Sequence, residues 1–294
     1  MAGVSAVHDI IDAFDAWGID PPLIRITDVG AMDVGSGSSW DRLVKRGCAT
    51  LLGFEPQQEE CARYNAKKGA GHRCLPQALG DGTVRTFHQC HYAPTSSFYK
   101  PNRDVIEQYN GLCDLMEVVG TVPMATSRLD DIEEARSTDF LKLDVQGAEL
   151  DILTHGRETL KHVSMIQTEV SFQPLYENQP LFADVDAFLR KEGFVLHTFL
   201  GFGRRMMRPL VPTGGPFAGF NQILWSDAVY IKPFASPPAG QEPATLLKRA
   251  ILFHELYRSY DFAARALRDY GALTGRHVVE AYPSLVNQEA AAAA

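Results

Sequence analysis

The chain has 294 residues, 45% hydrophobic and 22% charged, which is ordinary for a soluble globular protein. Its formal net charge of -8 argues against a nucleic-acid partner, because such partners usually bind a basic face. No apolar run reaches the roughly 18 to 20 residues that span a bilayer, and the N-terminus lacks a signal-peptide pattern. We therefore expect a cytoplasmic protein with no membrane partner.

Arg204, Arg205 and Arg208 come nearest to a basic cluster. We interpret them as a solvated hairpin, and the alternative is a loop that contacts an anionic substrate. A small molecule or a sugar is the expected partner.

The five cysteines are far apart and odd in number, which favours reduced thiols over a disulfide framework or a zinc site. His88 and His91 form an H-x-x-H pair without a third ligand of suitable spacing nearby. We therefore predict no metal site.

The first third of the chain alternates apolar runs with polar helical segments. Residues 7–17 have helical spacing, and the apolar run 23–29 enters Gly30 abruptly. The run 49–54 precedes a predicted helix at 57–68, and a third strand is expected at 74–79. This alternation is typical of a parallel sheet, whose neighbouring strands need crossover connections.

The middle of the chain continues this pattern with further predicted elements. We expect an added strand at 83–90, a loop at 91–104 and a strand pair within 117–128. Core strands are predicted at 139–144, 164–172, 194–202 and 223–231, with helices at 148–155 and 181–191. Trp225 and Tyr230 are expected to pack inward from the last strand.

We divide the chain into four parts. Residues 1–22 form a packing helix, 23–235 the main domain, 236–243 a proline-rich linker and 244–294 a helical extension with a frayed tail. One or two amphipathic helices are expected in the extension. They would cap the domain, cover the active site or form a homo-oligomer.

A glycine-containing turn follows the first predicted strand, with Gly30 and Gly35 at its ends. Ser36 and Gly37 follow Gly35 where a P-loop has lysine and Ser/Thr, so triphosphate binding is disfavoured. The dinucleotide fingerprint G-x-G-x-x-G is also absent here.

Acidic residues follow the strands of this region. Glu55 ends the second strand, where a carboxylate can accept both ribose hydroxyl protons of an adenosyl ligand. The pair Gly80-Asp81 would meet the adenine amino group. The alternative is that Glu55 and Asp81 only cap turns or helices.

Several ordered motifs between residues 24 and 234 resemble the FkbM-type methyltransferases. They are DFLKLDVQGAE at 139–149, QTEVSF at 167–172, PLY at 174–176, QPLF at 179–182, DVDAFL at 184–189, ALGD at 78–81, TSSF at 95–98 and LWSDA at 224–228. The first turn differs from the family in one respect, since Gly35 stands one residue later than usual.

The resemblance implies a Rossmann-like α/β class I methyltransferase, with a mostly parallel twisted sheet, helices on both faces and a C-terminal helical extension. It also implies S-adenosylmethionine as donor and O-methylation of a hydroxyl on a sugar, glycan or natural product. The donor-binding residues that it implies are Asp28, Gly30, Ala31, Gly35, Glu55, Pro56, Gly80, Asp81, Ser97, Asp144 and Val145.

Three residues are candidates for catalysis. Asp144 would contact the donor or act on the acceptor, and capping the following helix is the alternative. Lys142, inside an apolar strand, needs a partner, and Glu169 is the expected one, with Gln167 second. Glu169 is then either a base or half of a structural ion pair, and His91 is a further candidate base.

Two other functions share this pattern. A nicotinamide-dependent oxidoreductase would use the same fold and Glu55, but the glycine fingerprint of that class is absent from this sequence. A non-catalytic protein that binds an adenosyl ligand would keep Gly30 and Glu55 without an organised acceptor pocket.

Overall fold

A computed structural model describes residues 9–31, 39–67, 69, 71–210, 218–235 and 240–292. Within these ranges, the chain forms two compact units. The larger spans Arg25–Val34 and Leu51–Pro233, and the smaller spans Met1–Ile24, Gly35–Thr50 and Phe234–Ala294. Each unit combines segments that are distant in the sequence.

The larger unit contains a seven-stranded sheet in the order β3-β2-β1-β7-β8-β10-β9. Its strands are β1 (Ile24–Val29), β2 (Ala49–Phe54), β3 (His72–Leu75), β7 (Phe140–Leu143), β8 (Met165–Ser171), β9 (Val195–Gly203) and β10 (Trp225–Ile231). The pairs β2–β3, β1–β7 and β7–β8 are parallel, and β10 is antiparallel to both β8 and β9. This sheet confirms the predicted mostly parallel α/β fold.

A second sheet has three strands in the order β4-β6-β5, with β4 (Ala78–Leu79), β5 (Val84–Cys90) and β6 (Val118–Ser127). Two predictions were wrong here. The strand expected at 74–79 is split around Pro76, whose ring cannot donate to a strand ladder. The strand pair expected within 117–128 is one strand of ten residues, β6.

The helices of the larger unit fill the connections between strands. They are α3 (Gln58–Lys67), α4 (Arg103–Ile106), α5 (Leu112–Leu115), α6 (Glu149–Thr154), α7 (Arg157–Leu160) and α8 (Phe182–Lys191). In α8, Val185 and Leu189 are buried four residues apart, so the helix packs one apolar face onto the core. That core includes Leu141, Ile166 and Tyr230.

The smaller unit is helical, with α1 (Ile10–Ala16), α2 (Asp41–Lys45), α9 (Pro243–Tyr257), α10 (Tyr260–Thr274) and α11 (Tyr282–Ala292). In the described residues from Pro243 onward there are three α-helices, where one or two were expected. Arg249 of α9 is buried with its guanidinium 3.9 Å from the centre of the Phe234 ring. The division into 1–22, 23–235, 236–243 and 244–294 stays a prediction.

Candidate active site

The first part of the site lies where β1 and β7 end side by side. Asp28 pairs with Lys142 in the ladder of the two strands, and Asp144 N donates to Val29 O at 3.1 Å. Gly30 has a φ of +83°, and a Cβ on it would lie only 2.0 Å from the carbonyl oxygen of Asp144. Only glycine allows the two backbones to approach this closely.

The end of β2 completes this arrangement. Gly30 N and Ala31 N both donate to Phe54 O, at 3.1 and 3.2 Å. Glu55, the next residue, is 3% exposed, and its Oε1 accepts a hydrogen bond from Gln57 N at 2.9 Å. Burial raises the pKa of Glu55. A buried carboxylate therefore follows β2, as the sequence predicted, and one of its oxygens closes a turn.

Asp81 lies at the end of a different sheet, because Gly80 and Asp81 follow β4. Its Oδ1 accepts from Thr83 N at 2.9 Å and from Thr83 Oγ1 at 2.7 Å. These bonds from Thr83 hold the pKa of Asp81 below its ordinary value. Asp81 thus closes a turn in the structure, and its contact with an adenine stays a prediction.

Lys142 has different partners from those expected. Its Nζ lies 3.4 Å from Asp28 Oδ1 and 3.3 Å from Asp144 Oδ2, and its side chain is 15% exposed. The pairing with Glu169 was wrong, because β7 lies between β1 and β8, and the side chain of Lys142 contacts the carboxylate on the β1 side. In the parallel ladder, Gln167 rather than Glu169 is opposite Lys142.

The ion pair fixes the charge of Asp144. Burial acts to raise the pKa of this carboxyl, but the ammonium of Lys142 and the hydrogen bonds it receives hold the pKa below its ordinary value. Burial likewise acts to lower the pKa of Lys142, and Asp28 and Asp144 outweigh it, so that this pKa is raised. Asp144 is therefore an ionised carboxylate beside a charged lysine.

Gln146 joins the two carboxylates that the sequence singled out. Its Nε2 donates to Asp144 Oδ1 at 2.8 Å and to Glu169 Oε2 at 2.7 Å. Its φ of +56° is unusual for a residue other than glycine. Such strain persists only where surrounding contacts hold it, and here Ser97 Oγ donates to Gln146 O at 2.6 Å.

Glu149 holds the residues on either side of Gln146 through backbone hydrogen bonds. Its Oε1 accepts from Val145 N and its Oε2 from Gly147 N, both at 2.9 Å. The side chain is buried, and burial raises its pKa from 4.5 to about 7. This carboxyl shapes the loop that carries Gln146.

Glu169 lies on β8 with its carboxyl group at the wall of a cavity of about 380 Å³. Burial, followed by the negative charge of Asp144, raises the pKa of Glu169 well above its ordinary value. Gln146 and Tyr176 also line the cavity, and Tyr176 Oη lies 3.3 Å from Gln146 Oε1. The remaining lining residues are Tyr92, Pro94, Thr95, Leu112, Leu115, Met116, Gly147, Glu149, Leu150, Val170, Ser171, Leu175, Gln179, Pro180, Val185, Arg205 and Trp225.

The other predicted site residues lie in several different places. Ser97 is buried and supports the Gln146 loop, and Val145 donates to Glu149 as described. Pro56 is half-buried next to Glu55. His91 is exposed and is not among the residues that line the cavity. Gly35 lies outside the described residues.

Sequence reasoning missed Gln146, Tyr176 and Arg205 as members of one site. Gln146 stood inside a quoted motif, but its role depends on a backbone conformation that spacing alone does not reveal. Trp225 is half-buried: it packs against the core cluster around Leu224 and also lines the cavity, so the expectation that it packs inward holds in part, whereas Tyr230 is fully buried as predicted.

No group of three His, Cys, Asp or Glu side chains in the described ranges is arranged to hold a metal ion. Among the helices in those ranges, none is both long and apolar enough to cross a bilayer.

Solved structures with a similar chain path include two methyltransferases. Magnesium protoporphyrin IX methyltransferase from Synechocystis PCC 6803, solved with bound S-adenosylmethionine, is 14% identical with a TM-score of 0.37, and the match covers 79% of this chain and 86% of that one. A putative methyltransferase from Thermoplasma acidophilum is 12% identical with a TM-score of 0.37, over 79% and 76% of the two chains.

The relatives found by sequence are more similar to this chain than those two structures are. A curated relative, the 2-O-methyltransferase NoeI of Sinorhizobium fredii (strain NBRC 101917 / NGR234), is 34% identical over 178 residues, which are 57% of this chain and 72% of NoeI. Residues 28–196, which include Asp28, Glu55, Asp144 and Glu169, match the family described as the methyltransferase FkbM domain. The chain is therefore a methyltransferase and belongs to the FkbM domain family.

Proposed function

We propose that this protein transfers a methyl group from S-adenosylmethionine to a hydroxyl group of a sugar, glycan or natural product. The observation that carries the proposal is the placement of Glu169 on the cavity wall, joined through Gln146 to the ionised Asp144. A hydroxyl acceptor needs a base more than an amine does, and a carboxyl group with a raised pKa is suited to that task. The name of NoeI, a 2-O-methyltransferase, is consistent with this chemistry.

The residues at the ends of β1 and β2 suit the donor. Glu55 offers a buried carboxylate to the ribose hydroxyls, and the turn at Gly30 keeps the backbone free of a side chain where it meets Asp144. Asp28 and Asp144 place negative charge beside Lys142, where the donor's amino group would also find a partner. We assign this edge of the sheet to the donor and the cavity to the acceptor.

The protein has to position the acceptor hydroxyl, remove its proton and exclude water. The donor supplies a methyl carbon that is already activated by its sulfonium. Glu169 accepts the hydroxyl proton while the acceptor oxygen forms its bond to that carbon and the carbon–sulfur bond breaks. Gln146 holds the carboxylate of Glu169 by a hydrogen bond, and the apolar walls of the cavity keep water away from the reacting oxygen.

A labelling experiment tests the proposal. The protein is incubated with labelled S-adenosylmethionine and with glycan and small-molecule extracts, and the labelled product is identified by mass spectrometry.

The variant Glu169→Gln keeps the shape of the side chain but cannot accept a proton. We expect kcat to fall by about 10²- to 10⁴-fold, the range typical of a lost general base. The affinity for S-adenosylmethionine should stay within twofold of wild type.

The exposed Glu158 of α7 provides a control, and Glu158→Gln should behave as wild type. Normal turnover by folded Glu169→Gln protein would show that Glu169 has a structural role only. A wild-type protein that binds S-adenosylmethionine yet labels no extract component would instead favour a non-catalytic adenosyl-binding protein.

A further inference from the structure

Arg205 is a cationic side chain on the wall of the acceptor cavity, and the methyl-transfer chemistry above does not use it. Its guanidinium carbon lies 4.8 Å from the centre of the Trp225 ring, which also lines the cavity. Trp225 is opposite Ser171 in the ladder of β10 and β8. Ser171 is two residues beyond Glu169 on β8, so the backbone of Trp225, on which Arg205 stacks, is about 7 Å farther along the sheet than that of the proposed base.

The backbone that carries Arg205 is held from two sides. Arg205 Nη1 donates to Arg204 O at 2.8 Å, and a Cβ on Gly219 would lie only 2.8 Å from Arg205 N. On the other side, Asn110 N donates to Met206 O at 3.0 Å. A stacked, anchored guanidinium loses little freedom when it binds a ligand, which favours its use in recognition.

Among the described residues that line the cavity, Arg205 is basic, and Glu149 and Glu169 are acidic. The guanidinium of Arg205 is half-buried, and this burial lowers its pKa, although an arginine stays protonated near neutral pH. The two acidic lining residues accept hydrogen bonds from elsewhere in the site: Glu149 from Val145 N and Gly147 N, and Glu169 from Gln146 Nε2. Much of the remaining wall is apolar, including Leu112, Leu115 and Leu175.

We propose that Arg205 is an oxyanion-binding residue of the acceptor cavity, and that the natural acceptor carries a carboxylate or phosphate group near the hydroxyl that is methylated. An arginine fork binds such groups through two parallel hydrogen bonds, and it does so more strongly in a partly desolvated site than in water. The inference rests on the proposed function, because it assumes that the cavity holds the acceptor.

Three phenyl β-D-glycosides of matched shape test the inference: the neutral glucoside, the glucuronide and the glucoside 6-phosphate. Their dissociation constants are measured by calorimetry on protein saturated with S-adenosylhomocysteine. We expect the wild type to bind at least one of the two anionic probes about tenfold more tightly than the neutral probe, as a charged hydrogen-bonded pair would give. The stronger of the two identifies the group as carboxylate or phosphate.

The variant Arg205→Gln should remove this preference and bind all three probes within about twofold of one another. The neighbouring Arg204 does not line the cavity, so Arg204→Gln is the matched control and should keep the preference. Equal binding of the three probes by the wild type, no measurable binding of any probe, or a preference that survives Arg205→Gln would each overturn the inference.

The first step of the experiment separates this inference from the proposed function. A protein that fails to bind S-adenosylhomocysteine at all would contradict the assigned donor site. A protein that binds it normally but shows no preference for the anionic probes would contradict only the role of Arg205.

Discussion

The donor edge and the acceptor cavity are built in different ways. We use the name donor edge for Asp28, Gly30, Glu55 and Asp144, each of which stands at the end of a strand or directly after it. The acceptor cavity instead combines side chains from five separate stretches, at 92–116, 146–150, 169–185, 205 and 225. The donor edge therefore depends on the ends of the strands, whereas the cavity combines residues of β8 and β10 with the helices and loops that cover them.

This difference suggests how specificity and chemistry are separated in the molecule. Strand ends are rigid and set by the backbone, which suits a donor that is the same in every cycle. Loops can change without disturbing the sheet, which suits the part of a site that sets specificity. Gln146 links the two regions, because it hydrogen-bonds to Asp144 on one side and to Glu169 on the other.

The largest effect is expected from Gly30→Ala, which tests whether the donor edge depends on the backbone. The new Cβ would lie 2.0 Å from the carbonyl oxygen of Asp144, and the φ of +83° is itself unfavourable for alanine. One of the two backbones must move, so we expect a loss of about 4 kcal/mol or more in the free energy of unfolding. Urea denaturation measures it, and calorimetry should show no binding of S-adenosylmethionine.

Gly201 provides the matched control for this substitution. Its φ is +72°, but a Cβ there would have no atom within 4 Å. We expect Gly201→Ala to lose about 1 kcal/mol, the contribution of the positive φ alone. If the two variants lost the same stability, the close approach to Asp144 would not matter.

The next largest effect is expected from Lys142→Met, which removes the ammonium group that lies between the buried Asp28 and the partly exposed Asp144. Asp28 and Asp144 would then repel each other without the ammonium between them. Breaking such a buried pair typically lowers the free energy of unfolding by about 3–5 kcal/mol. Urea denaturation at pH 7 provides the measurement.

The pH dependence of that loss gives a second test. In the wild type the lowered pKa of Asp144 contributes stability above its unfolded pKa, and this contribution disappears as the pH falls through the folded pKa. The difference between Lys142→Met and wild type should therefore shrink towards acid pH. The exposed pair of Lys100 and Glu177 is the control, and Lys100→Met should lose less than about 1 kcal/mol at any pH.

The sequence predicted the donor edge better than the acceptor cavity. Strand ends were predicted well because apolar runs have a definite length, and Asp28, Glu55 and Asp144 lie where those runs stop. The partner of Lys142 was predicted wrongly, because spacing does not tell which neighbouring strand a side chain leans towards. Arg205 was interpreted as part of a solvated hairpin, with contact to an anionic substrate as the alternative, and Trp225 as a core residue; only the folded chain brings both to one cavity.

A smaller effect is expected from Glu149, which holds the Gln146 loop. Its contribution to stability is lost as the pH rises, whereas that of Asp144 is lost as the pH falls. The pKa of Glu149 is raised from 4.5 to about 7 by burial, so the folded protein binds a proton that the unfolded chain releases between these values. The stability that this group contributes is complete below pH 4.5 and is lost as the pH rises through about 7. The loss amounts to about 3 kcal/mol for a buried group shifted this far.

The variant Glu149→Gln cannot titrate and should lack this slope. We therefore expect the free energy of unfolding of the wild type, relative to the variant, to decrease between pH 5 and pH 8. Urea denaturation across that range measures the difference. A constant difference would mean that Glu149 has the same pKa in the folded and unfolded chains.

The smallest effect is expected from Glu55→Gln, which separates a donor-binding role for this residue from turn closure alone. The glutamine oxygen can still accept from Gln57 N, so the turn after β2 should persist and the melting temperature should change little. One of the two hydrogen bonds to the ribose hydroxyls would be lost, together with the negative charge that strengthens them. We expect the dissociation constant for S-adenosylmethionine to rise about tenfold, equivalent to about 1.4 kcal/mol, in calorimetry.

The exposed Glu59 of α3 is the control, and Glu59→Gln should bind as wild type. An unchanged affinity in Glu55→Gln would assign Glu55 to the turn, and the donor edge would then rely on Asp28, Gly30 and Asp144.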